Sequence, residues 1–316
     1  MAAEITDIAN PTHLEPSELG TKEYHIGGKE GWLPSPSPSP TTSVNSLFSP
    51  NDHYSCSWDE LYTREISNHT SNPSDTGTNW FDDSGAQDKV LQFLSEHFSS
   101  TEEQADHGHA RSQTSFLDLG TGNGELLFGL RDEGWAGRML GVDYSEKSVQ
   151  FARRINDTRQ ERFGGDQDED EDEGEDEPTP SREPVEFAQH DILSARGASA
   201  AAILSGAQSR GWDVVLDKGT FDAISLSSAT DGLGRRINEG YRAAALGLVR
   251  EGGLFLITSC NWTEDELEKW FAGKSDEGGE VHGRFEVEHR IEYRSFSFGG
   301  VKGQTISSVC FRKVGR

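Results

Sequence analysis

A glycine-rich stretch near the middle of the chain has the residue types needed to hold a nucleoside-containing ligand. Residues 115–119 (Ser-Phe-Leu-Asp-Leu) run into Gly120, and glycine recurs at positions 122 and 124 before a helical pattern begins. Glycine lets the backbone turn sharply and approach a ligand closely. The first N–H groups of the following helix have no partner inside that helix. The stretch therefore predicts a buried strand, a tight turn and a helix N-terminus that together bind a cofactor.

Aspartates at the ends of predicted strands indicate which cofactor this is. Four of them share that position, namely Asp118, Asp143, Asp191 and Asp217. Open α/β sheets bind ligands at the carboxyl ends of their strands, and a pyrophosphate is a poor fit to so many anions. The spacing G-x-G-x-G also differs from the G-x-G-x-x-G of dinucleotide-binding proteins. S-adenosylmethionine fits better, because it carries a sulfonium and an ammonium group and no phosphate.

Each strand-end acid has a predicted contact with this cofactor. Asp118 would attract the ammonium group, and Asp143 would accept hydrogen bonds from both ribose hydroxyls. Asp191, with the backbone of the following residue, would accept a hydrogen bond from the adenine amino group. Any one of these acids could instead cap a helix. The predicted cofactor-binding set is Asp118, Gly120, Gly122, Gly124, Asp143, Tyr144, Asp191, Ile192 and Asp217.

Strands that alternate with helices must position these residues. The predicted strands span residues 115–119, 138–143, 185–189, 212–217 and 253–258. Two segments with a period of two, 284–294 and 305–313, predict an antiparallel pair that closes the chain. The predicted fold class is therefore α/β: a Rossmann-like, doubly wound sheet of seven strands, mostly parallel, with a C-terminal antiparallel strand pair.

Two segments are predicted to lie outside the core. Residues 1–57 read as a flexible N-terminal segment with a Pro/Ser-rich insertion at 25–57, because proline at every second position from 34 to 40 cannot join a helix or a sheet. The cofactor-binding domain is expected to span 58–316. Within it, residues 164–182 are rich in acids and poor in apolar residues, which predicts a disordered insertion.

Composition excludes several classes of function. The chain of 316 residues has a net charge of −26 at pH 7, which disfavours binding to nucleic acid. Cys56, Cys260 and Cys310 are too scattered for a disulfide framework or a metal site. No apolar run has the length of a membrane span. We expect a cytoplasmic monomer that binds no metal, no nucleic acid and no membrane.

The sequence from Asp118 to Gly124 resembles the first motif of the seven-strand S-adenosylmethionine-dependent methyltransferases. More narrowly, the chain resembles the protein-lysine methyltransferases that modify translation elongation factor 1-alpha. The segments that carry this narrower resemblance are residues 18–24, 58–62, 79–81, 217–222 and 258–263. The resemblance implies mono- or dimethylation of a lysine of that factor, so the expected partner is a protein substrate.

One departure from that family concerns the N-terminal region. In the family, the segment like residues 20–24 runs directly into the segment like residues 58–62. Here residues 25–57 separate the two. They are either a tolerated surface insertion or translated intron from a faulty gene model.

The acceptor side of the predicted site lies after strands four and five. We predict that Asp217 orients the substrate amine, that Asn261 and Trp262 form the opposite wall, and that Trp80 and Phe81 line the channel. Asp217 could instead be a structural cap. Two alternative functions remain open: a small-molecule methyltransferase on the same fold, and a non-catalytic binding protein.

The aromatic residues near the predicted channel have two interpretations. Trp58, Tyr62, Trp80 and Phe81 either pack against the domain or form part of a lid over the site. Packing is the favoured interpretation.

Overall fold

A seven-stranded sheet forms the centre of the molecule. The computed structural model describes residues 54–100, 111–165, 181, 183–194, 203–273, 283–298 and 301–315. The strands of the sheet are β1 (Phe116–Leu119), β2 (Met139–Asp143), β3 (Glu186–Gln189), β4 (Trp212–Lys218), β5 (Val249–Ser259), β6 (Arg284–Ile291) and β9 (Ser307–Val314). Between β6 and β9 lies a separate hairpin of β7 (Ser295–Phe298) and β8 (Val301–Gln304).

The strand order across the sheet is β3-β2-β1-β4-β5-β9-β6. Strands β1 to β5 pair in parallel, whereas β9 runs antiparallel to both of its neighbours, β5 and β6. The predicted fold class is confirmed. The order reverses direction at β1, so the crevice between the ends of β1 and β4 is the place where an open α/β sheet binds its ligand.

Helices cover both faces of this sheet. Their bounds are α1 (Tyr54–Ser71), α2 (Ala86–Ser100), α3 (Glu125–Asp132), α4 (Glu146–Gly165), α5 (Thr220–Leu226), α6 (Tyr241–Leu248) and α7 (Glu264–Phe271). A capping box begins α7: the Thr263 side chain accepts a hydrogen bond from the backbone N–H of Glu266, and the Glu266 side chain accepts one from the backbone N–H of Thr263.

Alternation along β1 divides the core into two layers. All four residues of β1 are buried. Phe116 packs in one apolar cluster with Phe128 and Phe151, whereas Leu117 packs in the other with Phe255. Successive side chains of a strand point to opposite faces, so each cluster lies on one face of the sheet. Burial on both faces explains why this strand is an uninterrupted apolar run apart from its aspartate.

The structure differs from the sequence-based elements in several places. Helix α1 begins at Tyr54, before the expected start of the domain at residue 58. The segment between β4 and β5 holds α5, a 3-10 turn (Ile237–Gly240) and α6. Helix α5 and the β7–β8 hairpin were not predicted. Residues 1–53 and 166–180, which hold most of the predicted flexible segment and acidic insertion, lie outside the described residues.

The parallel register brings the predicted site residues to one edge of the sheet. Leu119 pairs with Val142 on one side and with Asp217 on the other. Asp143 in turn pairs with Gln189 at the end of β3. The residues that follow these strands therefore meet in the same crevice.

Candidate active site

The turn after β1 needs glycine for two physical reasons. Gly120, Gly122 and Gly124 have φ angles of 65°, 59° and 85°, in the left-handed region that L side chains rarely adopt. Space is also short: a Cβ at position 120 would lie 2.0 Å from the Thr220 Oγ1, and one at position 122 would lie 3.0 Å from the Tyr62 hydroxyl. The turn therefore stays open only while these positions have no side chain.

Asp143 ends β2 and faces the glycine turn. Its Oδ2 accepts a hydrogen bond from the Gly122 N–H at 3.0 Å, and its Oδ1 accepts one from the Ser145 N–H at 2.9 Å. The Ser148 side chain also hydrogen-bonds to this carboxylate, and burial raises its pKa. Because the two oxygens of a carboxylate can together accept about four hydrogen bonds, Asp143 keeps capacity to accept from a ligand hydroxyl.

Asp118 lies at the floor of the crevice on β1. It is only 3% exposed, and burial raises its pKa to about 7. Asp143 raises the pKa further, whereas Lys218 lowers it. A cationic ligand beside Asp118 would favour the ionised carboxylate in the same way as Lys218 does.

The predicted adenine contacts follow β2 and β3. The Oδ1 of Asp191 accepts a hydrogen bond from the backbone N–H of Leu193 at 2.9 Å, so this carboxylate caps a short 3-10 helix. Ile192 is buried, and Tyr144 is 48% exposed at the mouth of the crevice. The structure brings these residues to the predicted edge of the sheet, and their contact with adenine stays a prediction.

Asp217 is the last residue but one of β4 and is surrounded by hydrogen-bond donors from its own protein. Its Oδ1 accepts from the N–H of Thr220 at 2.9 Å and from that of Phe221 at 3.3 Å. Its Oδ2 accepts from the Phe221 N–H at 3.2 Å and from the Tyr241 hydroxyl. Burial raises its pKa to about 7. The geometry favours the alternative considered from the sequence, in which Asp217 caps a helix, over a direct contact with the substrate amine.

A second buried aspartate supports the loop after β5. Asp222 accepts hydrogen bonds from the Ser259 hydroxyl and from the backbone N–H of Cys260. The same Ser259 hydroxyl accepts from the N–H groups of Asn261 at 3.1 Å and Trp262 at 2.9 Å. The loop that carries the predicted acceptor wall is therefore fixed to α5.

The two predicted wall residues differ in exposure. Asn261 is exposed. Trp262 is half-buried: its indole N–H donates to the Ser225 Oγ at 3.0 Å, and its ring centre lies 5.2 Å from that of Phe221. The indole is thus held in one orientation by α5.

The aromatic residues before α2 form a connected group across the crevice. Trp58 stacks on Tyr62, with ring centres 6.2 Å apart, and meets Trp80 edge to face at 5.7 Å. Phe81 has a φ of 67° and lies against Gly219, where a Cβ would be 3.2 Å from the Phe81 ring. Packing, the interpretation favoured from sequence, accounts for these contacts, while the Tyr62 hydroxyl also reaches the glycine turn.

The residues present fit S-adenosylmethionine. The glycine turn leaves a cradle that a Cβ would fill, and Asp143 offers acceptor capacity beside it. The anionic floor at Asp118 suits an ammonium group and not a phosphate. Among the residues that the structure describes, no group of three or more His, Cys, Asp or Glu side chains could hold a metal ion. In the same part of the chain, no helix is both long and apolar enough to cross a membrane.

Sequence reasoning missed two residues that organise this site. Tyr241 bonds to Asp217, and Lys218 donates to Trp80. Lys218 lies inside a segment that carried the family resemblance, so its position gave a signal. Tyr241 gave none, because its partner is distant along the chain and only the fold brings the two together.

The fold and the strand-end site define an S-adenosylmethionine-dependent methyltransferase. A family model described as a methyltransferase domain matches residues 110–164. The protein-lysine N-methyltransferase EFM4 of Saccharomyces cerevisiae is 35% identical over 81% of this chain and 92% of its own length. The efm4 protein of Schizosaccharomyces pombe is 34% identical over 81% of this chain and 91% of its own. The chain belongs to the family of these protein-lysine N-methyltransferases.

A human relative is named for its substrate. EEF1A lysine methyltransferase 2 of Homo sapiens is 28% identical, with 88% of this chain and 92% of the human protein covered. The coverage includes both the glycine turn and the acceptor side of the crevice.

Proposed function

We propose that this protein transfers methyl groups from S-adenosylmethionine to a lysine of translation elongation factor 1-alpha. The observation that carries the choice of substrate is the similarity to EEF1A lysine methyltransferase 2 over 88% of the chain. The geometry supports the same class of reaction, because an anionic cofactor crevice opens beside a loop that carries Asn261 and Trp262.

We assign the cofactor contacts as follows. Asp118 pairs with the ammonium group, and Asp143 accepts from the ribose hydroxyls. Asp191, Ile192 and Tyr144 surround the adenine. Gly120, Gly122 and Gly124 allow the backbone to approach the cofactor. Asp217 supports the floor of the crevice from within the protein. When bound, the cofactor supplies an electrophilic methyl group on its sulfonium.

The acceptor side must present a neutral amine, since an ammonium has no lone pair for the new bond to carbon. The ordinary pKa of lysine is about 10.4, and transfer to an aromatic, partly desolvated channel lowers that pKa. We assign Trp80, Phe81 and Trp262 to the channel walls. Asn261, with an exposed amide, orients the amine, and Asp217 is a positioning residue that holds α5 in place.

Alignment accounts for much of the expected rate. Holding two reacting groups in line replaces a bimolecular encounter with a step inside one complex. The fixed indole of Trp262 and the Phe81 ring against Gly219 are the parts of the site suited to this task. In the transfer, a bond from nitrogen to carbon forms as the bond from carbon to sulfur breaks, and the amine later loses a proton to solvent.

The remaining features of the proposal concern the setting of the protein. We propose that it acts as a monomer in the cytoplasm, and that the domain spans residues 58–316 with the acidic segment 164–182 as an insertion. The absence of a membrane-crossing helix among the described residues supports this setting. The strongly negative net charge supports a protein substrate over nucleic acid.

The test is methylation of purified elongation factor 1-alpha. The full chain, incubated with S-adenosylmethionine and the factor, should yield a modified lysine in peptide mass spectrometry, whereas the D143N variant should yield much less at the same limiting cofactor concentration. Methylation of small molecules without modification of the factor would favour the small-molecule alternative. Cofactor binding without any transfer, or no binding at all, would favour a non-catalytic binding protein.

A further inference from the structure

The side chain of Lys218 connects two parts of the site that are far apart in sequence. Lys218 is the last residue of β4 and is half-buried. Its Nζ donates one hydrogen bond to the Asn79 Oδ1 at 3.2 Å and a second to the backbone oxygen of Trp80 at 3.0 Å. The ammonium group therefore anchors the segment that leads into the predicted channel.

Carboxylates from three further elements face this ammonium group. They are Asp118 of β1, Glu125 at the start of α3, and Asp82 in the 3-10 turn after Phe81. Burial lowers the pKa of Lys218, whereas these three carboxylates favour its charged form. A buried ammonium is stable only when charges and acceptors of this kind surround it.

The influence is mutual at Asp118. Lys218 lowers the pKa of this buried carboxyl, while Asp143 of β2 raises it. The hydroxyls of Tyr62 on α1 and Tyr241 on α6 also lie within electrostatic reach of Asp118. Lys218 is thus the basic group whose charge supports the carboxylate assigned to the cofactor.

We propose that Lys218 is a positioning residue that ties the acceptor channel to the cofactor carboxylate. Its two hydrogen bonds fix Asn79 and Trp80, and it lies on the strand that pairs with the strand of Asp118, so its positive charge favours the carboxylate assigned to the cofactor ammonium. This proposal rests on the function proposed above. Lys218 acts through these three residues and not on the reacting atoms.

The neighbours of Trp80 explain why the anchor matters. The Trp80 ring meets Trp58 edge to face, and Phe81 is held in a left-handed conformation against Gly219. Left-handed backbone costs energy for a residue with a side chain, so surrounding contacts must enforce it. The bond from Lys218 to the Trp80 oxygen is one such contact, placed immediately before Phe81.

Three substitutions separate the hydrogen bonds from the charge. K218M removes the hydrogen bonds and the charge. K218Q keeps an N–H donor without the charge, and K218R keeps the donors and the charge. The matched control is K313M, because the Lys313 Nζ also donates to two backbone oxygens, those of Leu246 at 2.9 Å and Val249 at 2.7 Å. Lys313 lies at the opposite edge of the sheet, so its loss should lower thermal stability alone.

The measurements are the KM for the protein substrate and the cofactor affinity by calorimetry at pH values below and above the Asp118 pKa of about 7. K218M should raise the KM about tenfold, the effect of losing one charged hydrogen bond. Cofactor affinity should fall as pH decreases and Asp118 becomes protonated. In K218M this fall should begin at a higher pH, because the pKa of Asp118 is higher without the charge of Lys218. K218Q should show the same pH shift as K218M, with a KM part of the way back to that of the unmodified protein. K218R should restore both the pH profile and the KM of the unmodified protein.

Equal behaviour of K218M and K313M in KM and in the pH profile would overturn the proposal. If K218M does not fold, the comparison of K218Q with K218R tests the proposal. Identical pH profiles for these two variants would show that the charge of Lys218 has no role. Calorimetry needs no protein substrate, so the pH result stands even if the elongation factor is not methylated. Failure of the unmodified protein to bind the cofactor would instead overturn the proposed function.

Discussion

The carboxylates at the ends of β2 and β4 have the same residue type and neighbouring positions, yet they have different partners. Asp143 accepts one backbone hydrogen bond on each oxygen, from the N–H groups of Gly122 and Ser145. Asp217 accepts from Thr220, Phe221 and Tyr241, which together occupy both of its oxygens. The first carboxylate keeps capacity for a ligand, and the second is used within the protein.

The backbone that follows each strand explains this difference. Helix α5 begins at Thr220, directly after β4, so its unpaired N–H groups point at Asp217. Helix α4 likewise begins three residues after its aspartate, yet of the backbone N–H groups that follow Asp143 only that of Ser145 donates to it. A strand-end acid is therefore a ligand contact or a cap according to how many backbone donors its own chain brings.

The largest expected effect comes from D143N. An amide nitrogen cannot accept from the Gly122 N–H or from a ribose hydroxyl, and the charge is lost. Hydrogen bonds to charged groups contribute about 1.5–3 kcal/mol, so the dissociation constant for S-adenosylmethionine should rise about 10- to 100-fold by calorimetry. D213N is the control, because Asp213 bonds to Ser115 and Arg250 at the other edge of the sheet. Equal cofactor affinities for the two variants would contradict the comparison.

Y241F tests the other carboxylate. Loss of the hydroxyl leaves buried Asp217 without one partner, so the free energy of unfolding in urea should fall by about 1.5–3 kcal/mol. Cofactor affinity should stay within about twofold, since Asp217 is a cap and not a ligand contact. Y293F offers a matched control, because its hydroxyl is bonded to the uncharged Ser308 Oγ at 2.8 Å and should matter less. A loss of affinity as large as that of D143N would show that Asp217 contacts the cofactor.

The pH dependence of stability should reveal Asp118. Its folded pKa of about 7 lies above the ordinary value of 3.8, so the folded state binds this proton more tightly than the unfolded state. Stability contributed by the protonated form is then lost as pH rises from the ordinary pKa towards the folded pKa. The melting temperature of D118N minus that of the unmodified protein should increase across this window, and bound S-adenosylmethionine should reduce the increase.

The control for this pH prediction is Asp213, whose pKa is lowered by Ser115 and Arg250 against the effect of burial. For that group the folded state favours the ionised form, so the unmodified protein gains stability as pH rises towards the ordinary pKa of 3.8. The melting temperature of D213N minus that of the unmodified protein should therefore fall as pH rises towards 3.8 and stay constant across the window used for Asp118. If the difference in melting temperature between D118N and the unmodified protein does not change with pH, the folded-state pKa of Asp118 is ordinary.

The smallest expected effect is that of S145A. The Ser145 hydroxyl donates to the Asp59 Oδ1 at 2.5 Å and so holds α1 over the cofactor side of the crevice. One hydrogen bond contributes about 1 kcal/mol, so cofactor affinity should weaken about fivefold or less. T63A removes an exposed side-chain bond on the same helix and should leave affinity unchanged. An unchanged affinity in S145A would mean that α1 contributes nothing to cofactor binding.

The cofactor side of the site was largely predictable from sequence because its determinants are local. An apolar run, three glycines and an acid at the strand end lie within ten residues of one another, and each has a physical reason for its position. The same local logic predicted the five parallel strands. It also placed Asp143 beside the turn, since parallel neighbours bring their ends to one edge.

The acceptor side was less predictable because its determinants are distant along the chain. Asp217 was assigned to the substrate amine, yet the fold brings Tyr241 to it and completes its hydrogen bonds. Helix α5 was missed because it is short and its cap lies on the preceding strand. The role of Lys218 was not predicted because its hydrogen-bond partners, Asn79 and Trp80, precede it by more than a hundred residues.

The close approach of Gly120 to Thr220 limits how this protein can evolve. A methyl group at position 120 would lie 2.0 Å from the Thr220 Oγ1, which itself donates to the Leu119 oxygen at 2.6 Å. A smaller residue at position 220 would make room but would sacrifice that hydrogen bond, and it would not relieve the positive φ at position 120. A single substitution at position 220 therefore cannot restore what a side chain at position 120 removes, so a lineage that loses this glycine regains the turn by returning to glycine and not by compensating at position 220.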